Sequence, residues 1–326
     1  SCLNQGEGLV QTKLLDHILS IDRQTGILRC EAGISLAQIL SVIVPAGFFL
    51  PVTPGTKYVT LGGAIANDVH GKNHHQQGTF AGHVRCLELV RSDGIFFCSP
   101  DSHADLFYAT LGGLGLTGVI SWAEIKLMPA SHLIDAEEIS FHGLEAFLEL
   151  CQDSDQKYQY TVAWIDCMGM GSKFARGVFF RGNHAELTKP LKAFSSGQKL
   201  SIPLPLPDFV LSQYSVALFN EVYFRSHSRR KTYTTSFDPF FYPLDAVGYW
   251  NRLYGKRGFF QYQFVLPKEK IEQIKKIMEL IAESKQASFL AVLKEFGDIK
   301  SKGLLSFPRP GITLALDFPY NGKISI

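Results

Sequence analysis

The chain has 326 residues, a formal net charge of +2, 46% hydrophobic residues and 19% charged residues. This composition excludes an intrinsically disordered chain, and the near-neutral charge excludes bulk nucleic acid as a partner. The length suits two domains or one large one. No apolar run reaches the roughly 18 residues that a membrane-spanning helix requires.

Alternating apolar residues and helical periodicity predict short strands and helices in the first 130 residues. The predicted strands are 17–22, 27–32, 48–50, 84–91, 95–98 and 119–127. The predicted helices are 36–44 with Ser35 as N-cap, 62–68 with Thr60 as N-cap, and 101–111. Strands and helices mixed in this way indicate an α+β domain over residues 1–130.

The character of the sequence changes near residue 131, where we place the start of a second domain that runs to residue 326. An amphipathic helix is predicted over 268–284. Residues 186–212 are rich in Pro and Ser, which indicates a long surface connection. The other predictions are a strand that runs into a helix around 139–148 and strands at 158–166, 173–181, 259–266, 287–296 and 312–318.

The six cysteines are widely spaced, and no two of them form a C-x-x-C pair. This spacing argues against a zinc ribbon and against a dithiol redox site. We expect all six to be small hydrophobic side chains in a reduced protein. They are Cys2, Cys30, Cys86, Cys98, Cys151 and Cys167.

The most informative stretch is PGTKYVTLGGAIANDVHGKNHH, residues 54–75. Its adjacent glycines, Gly62 and Gly63, make a poor surface helix but let a large flat group approach the backbone closely. We therefore expect a cofactor to lie against them. Small residues after the N-cap Thr60 should leave the first helical N–H groups free, and those groups with the helix dipole suit a phosphate.

A second glycine-rich stretch, Gly113 to Gly118, fits the pattern G-x-G-x-x-G. The dinucleotide fingerprint requires a strand before the glycines and a helix after them, whereas here the predicted order is reversed. NAD binding in a Rossmann fold is therefore disfavoured. A plain glycine-rich turn and a turn that lies along a different nucleotide cofactor both remain, and we favour the second.

The histidines that follow the first glycine stretch allow several interpretations. His70 and His74 are spaced like half of a zinc site, but Gly71 interrupts the helix between them, so we expect no metal. We expect His74 and His75 to make structural hydrogen bonds. His70 and Lys72 directly follow the glycine helix and are placed to face a substrate.

A basic run lies between residues 225 and 231. A solvated loop is the favoured interpretation, and a flexible lid near a phosphorylated substrate is the alternative. No G-x-S-x-G elbow or Walker loop is present, so serine hydrolases and P-loop enzymes have no support. The basic residues, with one histidine, are Arg225, His227, Arg229, Arg230 and Lys231.

The segments PGTKYVTLGGAIANDVHGKNHH, GTFAGHV and DLFYATLGGLGLTGVI resemble the FAD-linked oxidases of the vanillyl-alcohol oxidase superfamily. The resemblance continues in YTVAWID, DPFFYPLDAVGYWNRLYG, GFFQYQFVLP, LKEFG, LSFPRPG and LDFP, and so covers nearly the whole chain. It implies a PCMH-type α+β FAD-binding domain, followed by a substrate domain with an antiparallel sheet flanked by helices.

The resemblance also implies residue roles. FAD contacts are expected at Gly55, Thr60, Leu61, Gly62, Gly63, Asn67, Asp68, Val69, His70, Gly115, Thr117, Gly118 and Ile120. His70 and Lys72, from the first domain, are the expected catalytic residues. The expected substrate contacts, from the second domain, are Trp164, Tyr242, Gln261, Gln263 and Lys294.

The implied reaction oxidises a secondary alcohol of a sugar by hydride transfer to flavin N5. The implied substrate is the 2′-hydroxyl of a polyprenylphosphoryl ribose, a precursor of cell-wall arabinan. His70 has a suitable pKa for the base, and Lys72 would fix the hydroxyl or stabilise negative charge on the flavin. Because side chains alternate along a strand, Gln261 and Gln263 face the same side and can both bind the sugar.

Two alternatives stay open. One is the same chemistry on a soluble alditol or aldonolactone. The other is a catalytically incomplete fragment, because the resemblance places a pyrophosphate loop before Ser1 and a lysine and a tyrosine after Ile326. We accordingly expect a chain truncated at both ends that holds FAD weakly and whose compartment the sequence leaves open. The resemblance further implies a separate NAD-dependent short-chain reductase as a partner.

Overall fold

The computed structural model describes residues 10–186, 200–207, 210–284 and 288–320. The predicted truncations at both ends, Cys2 and most of the 186–212 connection therefore lie outside the described residues, as does the first residue of the strand predicted at 287–296. None of the described helices is long and apolar enough to cross a bilayer.

The described helices and strands agree closely with the predicted α+β pattern. The helices are α1 (Leu36–Ile43), α2 (Leu61–Ala66), α3 (His74–Gln77), α4 (Ala104–Thr110), α5 (Leu144–Ser154), α6 (Gln213–Ser226), α7 (Phe237–Phe241) and α8 (Ile271–Ser284). The strands are β1 (Ile18–Asp22), β2 (Ile27–Glu31), β3 (Phe48–Phe49), β4 (Val84–Arg91), β5 (Gly94–Cys98), β6 (Val119–Lys126), β7 (Met128–Pro129), β8 (Leu133–His142), β9 (Tyr160–Ile165), β10 (Arg176–His184), β11 (Leu200–Ser201), β12 (Lys231–Ser236), β13 (Val247–Gly248), β14 (Phe259–Leu266), β15 (Ala291–Phe296) and β16 (Gly311–Pro319).

The chain forms two compact units, each built from separate stretches of sequence. Unit 1 contains residues 1–70, 79–131 and 301–307, and unit 2 contains residues 71–78, 132–300 and 308–326. The segment 71–78, which carries Lys72, therefore packs in unit 2 rather than with the first domain as the resemblance implied. A functional domain boundary at residue 130 stays a prediction.

Unit 1 is built on a five-stranded antiparallel sheet in the order β1-β2-β6-β4-β5. The predicted N-caps are confirmed. The Ser35 hydroxyl accepts from the Gln38 N–H at 3.2 Å, and the Gln38 side chain accepts from the Ser35 N–H at 3.0 Å, which completes a capping box on α1. The Thr60 hydroxyl accepts from the Gly63 N–H at 3.1 Å and starts α2.

The helix predicted over 62–68 is shorter than expected, because α2 ends at Ala66. Asp68 has a left-handed backbone conformation with φ of 41° and its side chain is buried. Its carboxylate accepts from the Ala81 N–H at 2.8 Å and from the Ser306 hydroxyl at 2.6 Å. These two bonds hold the turn that follows α2, and they explain why an acidic side chain is buried there.

Unit 2 is built on a seven-stranded antiparallel sheet in the order β12-β8-β10-β9-β15-β16-β14. Helices α5 and α8 pack on one face and form the main core with residues such as Phe179, Leu293 and Leu314. Helix α6 packs on the other face, where Phe224 contacts Trp164 and Val178. The antiparallel sheet flanked by helices that the resemblance implied is present.

A buried polar network anchors α6 to the sheet. The Arg176 guanidinium donates to Asp166 at 2.8 Å and pairs with Glu221 of α6 at 2.9 Å. The Asn220 amide, also on α6, donates to Asp166 at 2.7 Å. Since Arg176 and Asp166 are both buried, each neutralises a charge that would otherwise be costly to bury.

Several further features differ from the sequence predictions. Helix α6 was not predicted, and neither were α3, α7 and β12. The basic run is not a single loop, because Arg225 lies in α6, Lys231 begins β12 and Arg230 forms an ion pair with Glu137. The five described cysteines are free and buried, as expected for small hydrophobic side chains.

We predict that Arg176→Met lowers the free energy of unfolding by about 3–5 kcal/mol, because it leaves the Asp166 carboxylate buried without its cation. Lys173→Met is the matched control, since Lys173 pairs with Glu221 at 3.0 Å on the surface, and it should cost less than about 1 kcal/mol. Urea denaturation of both variants measures the two costs. Equal costs for the two variants would show that the buried network does not stabilise the sheet.

Candidate functional site

Unit 1 contains a cavity of about 180 Å³ whose walls are mostly backbone and small side chains. One wall is α2 and the other is the chain from the end of α4 to the start of β6. The lining residues are Thr12, Ala32, Thr60, Gly62, Gly63, Ala66, Thr110, Gly115, Gly118, Val119 and Ile120. Both glycine-rich stretches that the sequence marked as cofactor contacts therefore line one cavity, and cofactor binding there stays a prediction.

Backbone hydrogen bonds bring the two walls together. The Gly112 N–H donates to the Ile65 carbonyl at 3.0 Å, and the Leu114 N–H donates to the Ala66 carbonyl at 2.8 Å. The second glycine stretch therefore runs along the end of α2. At Gly115, φ is 77° and the space that a Cβ would enter is open, so glycine keeps this wall flat.

The chain order around the second glycine stretch confirms that it is not a dinucleotide fingerprint. Helix α4 precedes it and strand β6 follows it. A Rossmann site needs a strand before the glycines and a helix after them.

The predicted phosphate site at the start of α2 was wrong. The Leu61 N–H donates to the Ile34 carbonyl and the Gly62 N–H to the Ala32 carbonyl, both at 2.8 Å. The next N–H, of Gly63, is bonded to the Thr60 hydroxyl. The first N–H groups are thus already satisfied by the turn after β2 and by the cap, so α2 offers a flat surface rather than free donors.

Six of the residues predicted to contact a cofactor line the cavity: Thr60, Gly62, Gly63, Gly115, Gly118 and Ile120. The others, which do not line it, are Gly55, Leu61, Asn67, Asp68, Val69, His70 and Thr117. Leu61 is buried in the core, and the Asn67 amide donates to the Gly63 carbonyl at 2.8 Å. The Asp68 carboxylate accepts from the Ala81 N–H and the Ser306 hydroxyl, and its contact with a cofactor stays a prediction.

Sequence reasoning missed several lining residues. Ala66 and Val119 directly extend the two glycine stretches, and their small or apolar side chains were the available signal. Ala32 comes to the cavity because β2 ends opposite Gly62, where a Cβ would lie 3.1 Å from the Ala32 Cβ. Thr12 carries no local signal in the sequence.

Unit 2 brings together three cationic or titratable side chains. The Lys72 ammonium donates to the Phe240 carbonyl and lies 4.7 Å from the Phe240 ring centroid. Burial and the nearby charge of Lys294 lower the pKa of Lys72 to about 7. Burial lowers the pKa of Lys294 to about 8, and burial together with Lys294 and His75 lowers the pKa of His74 to about 4. Lys72 can therefore exchange a proton near neutral pH.

The contacts of His74 and His75 confirm only part of the prediction that both make structural hydrogen bonds. His75 makes the expected structural hydrogen bond, since its Nε2 donates to the Tyr158 carbonyl at 3.0 Å. His74 does not: its ring packs 4.6 Å from the Phe296 ring, and among the described residues neither ring nitrogen has a partner. His70, in unit 1, forms a backbone bridge with Thr79, and its ring centroid lies 6.2 Å from that of Phe307.

The two predicted glutamines lie on one face of the large sheet, as the alternation required. The Gln261 amide donates to the Asp317 carboxylate at 2.7 Å. The Gln263 amide donates to the Thr313 hydroxyl at 2.9 Å, and that hydroxyl donates to the Phe264 carbonyl at 2.8 Å. Phe264 itself packs in the core on the other face.

These contacts fix how the two amides are turned. Burial raises the pKa of Asp317 to about 6, so at neutral pH its carboxylate accepts and the Gln261 NH2 group must face it. The Thr313 hydroxyl has already donated its proton, so it can only accept from Gln263. Asp317 and Thr313 are thus positioning residues that sequence reasoning missed, although each lies on β16 beside the glutamine strand.

The aromatic residues of the predicted substrate set are largely buried. Trp164 lies on the same face of the sheet as Gln263 and in the same row of paired residues, with Val292 and Ala315 between them. Three strand spacings separate Trp164 from Gln263, which is about 14 Å. Its Nε1 donates to the Phe289 carbonyl at 3.1 Å. Tyr242 is buried at the end of α7 beside Phe241. Both side chains are therefore almost entirely enclosed by other residues, and their contact with a substrate stays a prediction.

Comparison with known proteins adds the following. The family model described as an FAD binding domain matches residues 1–99. The chain is 38% identical to decaprenylphosphoryl-beta-D-ribose oxidase of Mycolicibacterium smegmatis, over 97% of this chain and 71% of that protein. It is 30% identical to an uncharacterized protein of Streptomyces coelicolor, over 88% and 81%. Delta(24)-sterol reductase of Rattus norvegicus is 31% identical over 46% of this chain and 29% of its own length.

We predict that Lys72 makes folding stability rise with pH between about 7 and about 10. The folded pKa is about 7 and the ordinary value is 10.5, so in this range the unfolded chain holds a proton that the folded chain lacks. Lys72→Met should therefore be more stable relative to the wild type at pH 6 than at pH 9, as measured by urea denaturation.

Lys72→Met must be compared with the wild type at each pH, because other groups also change folding stability with pH. Burial raises the pKa of Cys30 and Cys167 to about 12, so these thiols lower folding stability at high pH, whereas Lys72 raises it. Lys276→Met, at an exposed position on α8, is the control and should show no such change with pH. A Lys72→Met difference that is the same at both pH values would rule out a lowered pKa for Lys72.

Proposed function

We propose, because this chain belongs to the FAD-linked oxidase family of decaprenylphosphoryl-beta-D-ribose oxidase, that it oxidises the 2′-hydroxyl of a polyprenylphosphoryl ribose. Membership makes the chain an FAD-dependent oxidoreductase. The single observation that carries the proposal is the 38% identity along 97% of the chain, which includes the sheet of unit 2. The FAD binding model, in contrast, matches residues 1–99 alone.

The cavity of unit 1 fits a flat cofactor. When bound, FAD supplies the hydride acceptor of the reaction. The residues that we propose to hold it are the six predicted ones that line the cavity, together with Ala66 and Val119. Their small side chains let a ring system approach the backbone. At Gly115 the space beside the backbone is open, and the positive φ disfavours any residue other than glycine there. Contacts from Gly55, Leu61, Asn67, Asp68, Val69, His70 and Thr117 remain predictions.

We propose that the proton of the reacting hydroxyl goes to His70 or to Lys72. His70 is a candidate because histidine is the residue type whose unperturbed pKa lies closest to neutral pH. Lys72 reaches a pKa near neutral through burial and the charge of Lys294, so the structure adds it as a second candidate. In its charged form, Lys72 would instead hold the substrate hydroxyl or oppose negative charge that develops on the cofactor.

We propose that the polar face of the large sheet binds the sugar. Gln261 and Gln263 are held at fixed orientations by Asp317 and Thr313, which pre-organises their amides for hydroxyl groups. Lys294, on β15, adds a positive charge that suits a phosphoryl group. Trp164 and Tyr242 would supply apolar edges. We also propose that a separate NAD-dependent reductase consumes the keto product.

We predict that His70→Ala lowers the rate of substrate-dependent flavin bleaching by about 10²–10⁴-fold and leaves FAD binding nearly unchanged. The same loss in Lys72→Met, with His70→Ala active, would assign the base to Lys72. The matched control is His103→Ala, which lies outside the cavity lining of unit 1. Stopped-flow absorbance of the flavin under anaerobic conditions measures the rate.

The choice of substrate separates the proposal from its alternatives. A polyprenylphosphoryl ribose should bleach the flavin, whereas soluble alditols and aldonolactones should not. Bleaching by the soluble sugars alone would replace the proposed substrate. Bound FAD that no alcohol bleaches would favour a catalytically incomplete fragment.

We predict that Ala66→Phe weakens FAD binding at least about tenfold, because a benzyl group on α2 would occupy the cavity and displace part of the ring system. The helical backbone at Ala66 accepts Phe without strain, so the fold should persist. Val42→Phe, at an exposed position of α1 away from the cavity, is the control. Titration of the apoprotein with FAD by flavin fluorescence measures affinity, and equal affinities would place the cofactor elsewhere.

A further inference from the structure

Helix α6 has two apolar sides. Val216 and Phe224 are buried on its inner side, where Phe224 packs against Trp164 and Val178 of the large sheet. The Tyr223 ring lies 4.7 Å from that of Trp164. Asn220 secures this side through its bond to Asp166. The helix is therefore held firmly, and its outward side is presented in a defined orientation.

The outer side of α6 exposes large apolar residues along its length. Tyr214, Leu218 and Val222, spaced four residues apart, are 78%, 66% and 59% exposed, and Phe219 beside them is 45% exposed. Residues four apart lie on one side of a helix, so these side chains form a continuous strip, which we call the α6 strip. Contiguous exposed apolar strips of this kind mark interaction surfaces.

Helix α8, on the opposite face of the same sheet, has a typical solvent-exposed surface with which α6 can be compared. Its exposed residues include Glu272, Lys276, Glu279 and Glu283, and Leu280 is a single apolar residue among them. On α6, in contrast, no charged residue is exposed before Arg225. The α6 strip is thus a local property of one helix and not of the whole surface.

Positive charge adjoins the carboxyl-terminal end of the α6 strip. Arg225, Arg229 and Lys231 are all exposed. Glu221 is the only carboxylate between residues 213 and 231, and it lies 2.6 Å from Arg225 and 2.9 Å from the buried Arg176. An apolar strip next to exposed Arg and Lys is complementary to an anionic lipid surface, where the strip enters the acyl boundary and the cations meet the headgroups.

We propose that α6 docks this protein on an anionic lipid surface through the α6 strip and the basic residues that follow it. The inference deepens the proposed function and rests on it for its purpose, because a polyprenyl-linked sugar resides in a bilayer. The inner side of the same helix touches Trp164, one of the residues proposed to bind that sugar. Docking through α6 would therefore bring the sheet face to the level at which the substrate is held.

Vesicle flotation tests the proposal on the full chain with FAD bound. The probes are vesicles of phosphatidylcholine alone and of phosphatidylcholine with phosphatidylglycerol in equal parts. The wild type should float with the anionic vesicles and much less with the neutral ones, and added salt should weaken binding. The double variant Leu218→Ser with Val222→Ser should bind at least about tenfold more weakly, because it removes two exposed apolar side chains that docking would bury in the bilayer.

Two matched variants separate the contributions. Leu280→Ser, which removes a comparably exposed leucine from α8, should bind like the wild type. Arg229→Ser with Lys231→Ser should lose the preference for anionic vesicles and keep the weak binding to neutral ones. Thermal unfolding and flavin absorbance of each variant show that the fold and the cofactor site persist.

Three results would overturn the proposal. They are a wild type that does not float, a double variant on α6 that floats as well as the wild type, and a wild type that self-associates through a face that the double variant abolishes. The last would make the α6 strip an interface between copies of the chain. Activity on the lipid-linked sugar in detergent without flotation would defeat docking alone, whereas flotation without bleaching by that sugar would defeat the proposed function alone.

Discussion

The two-residue alternation of the seven-stranded antiparallel sheet is the constraint on which unit 2 depends. It sends Leu293, Leu314 and Phe264 into the core beneath α5 and α8. By the same rule, it sends Gln261 and Gln263 to the opposite face. A register slip of one residue in β14 would exchange these sets, burying amides and exposing core residues. Hydrophobic burial on one face therefore enforces the polar arrangement on the other.

The polar face is stabilised by contacts that its neighbours on the sheet provide. Asp317 and Thr313 come from the adjacent strand β16 and hold the glutamine amides. The pair of lysines, Lys72 and Lys294, is less favourable, because burial lowers the pKa of both and the charge of Lys294 lowers the pKa of Lys72 further. The well-packed opposite face of the sheet offsets the cost of burying these two side chains.

The main feature of unit 1 is a cavity surface that carries almost no large side chains. Two backbone hydrogen bonds hold the second glycine stretch against the end of α2. The N–H groups that begin α2 are used to join it to the turn after β2. The cavity is therefore defined by close backbone approach, and it offers a ligand a flat shape rather than free donors at the start of α2.

The sequence by itself determined most strands and helices, because alternation, periodicity and capping residues such as Ser35 and Thr60 act over a few neighbours. It also determined the α+β class and the shared face of Gln261 and Gln263, and it marked both glycine-rich stretches, which line one cavity in the structure. It missed α6, because apolar residues on both its inner and outer sides blur the helical period.

Only the tertiary structure decided which groups met across long separations. The Ile34 and Ala32 carbonyls took the N–H groups expected to bind phosphate, and Ser306 joined Asp68 from more than two hundred residues away. The pKa of Lys72 depends on Lys294, which folding brings near it. Hydrogen-bond satisfaction and charge burial depend on partners in space, and a linear pattern does not contain those partners.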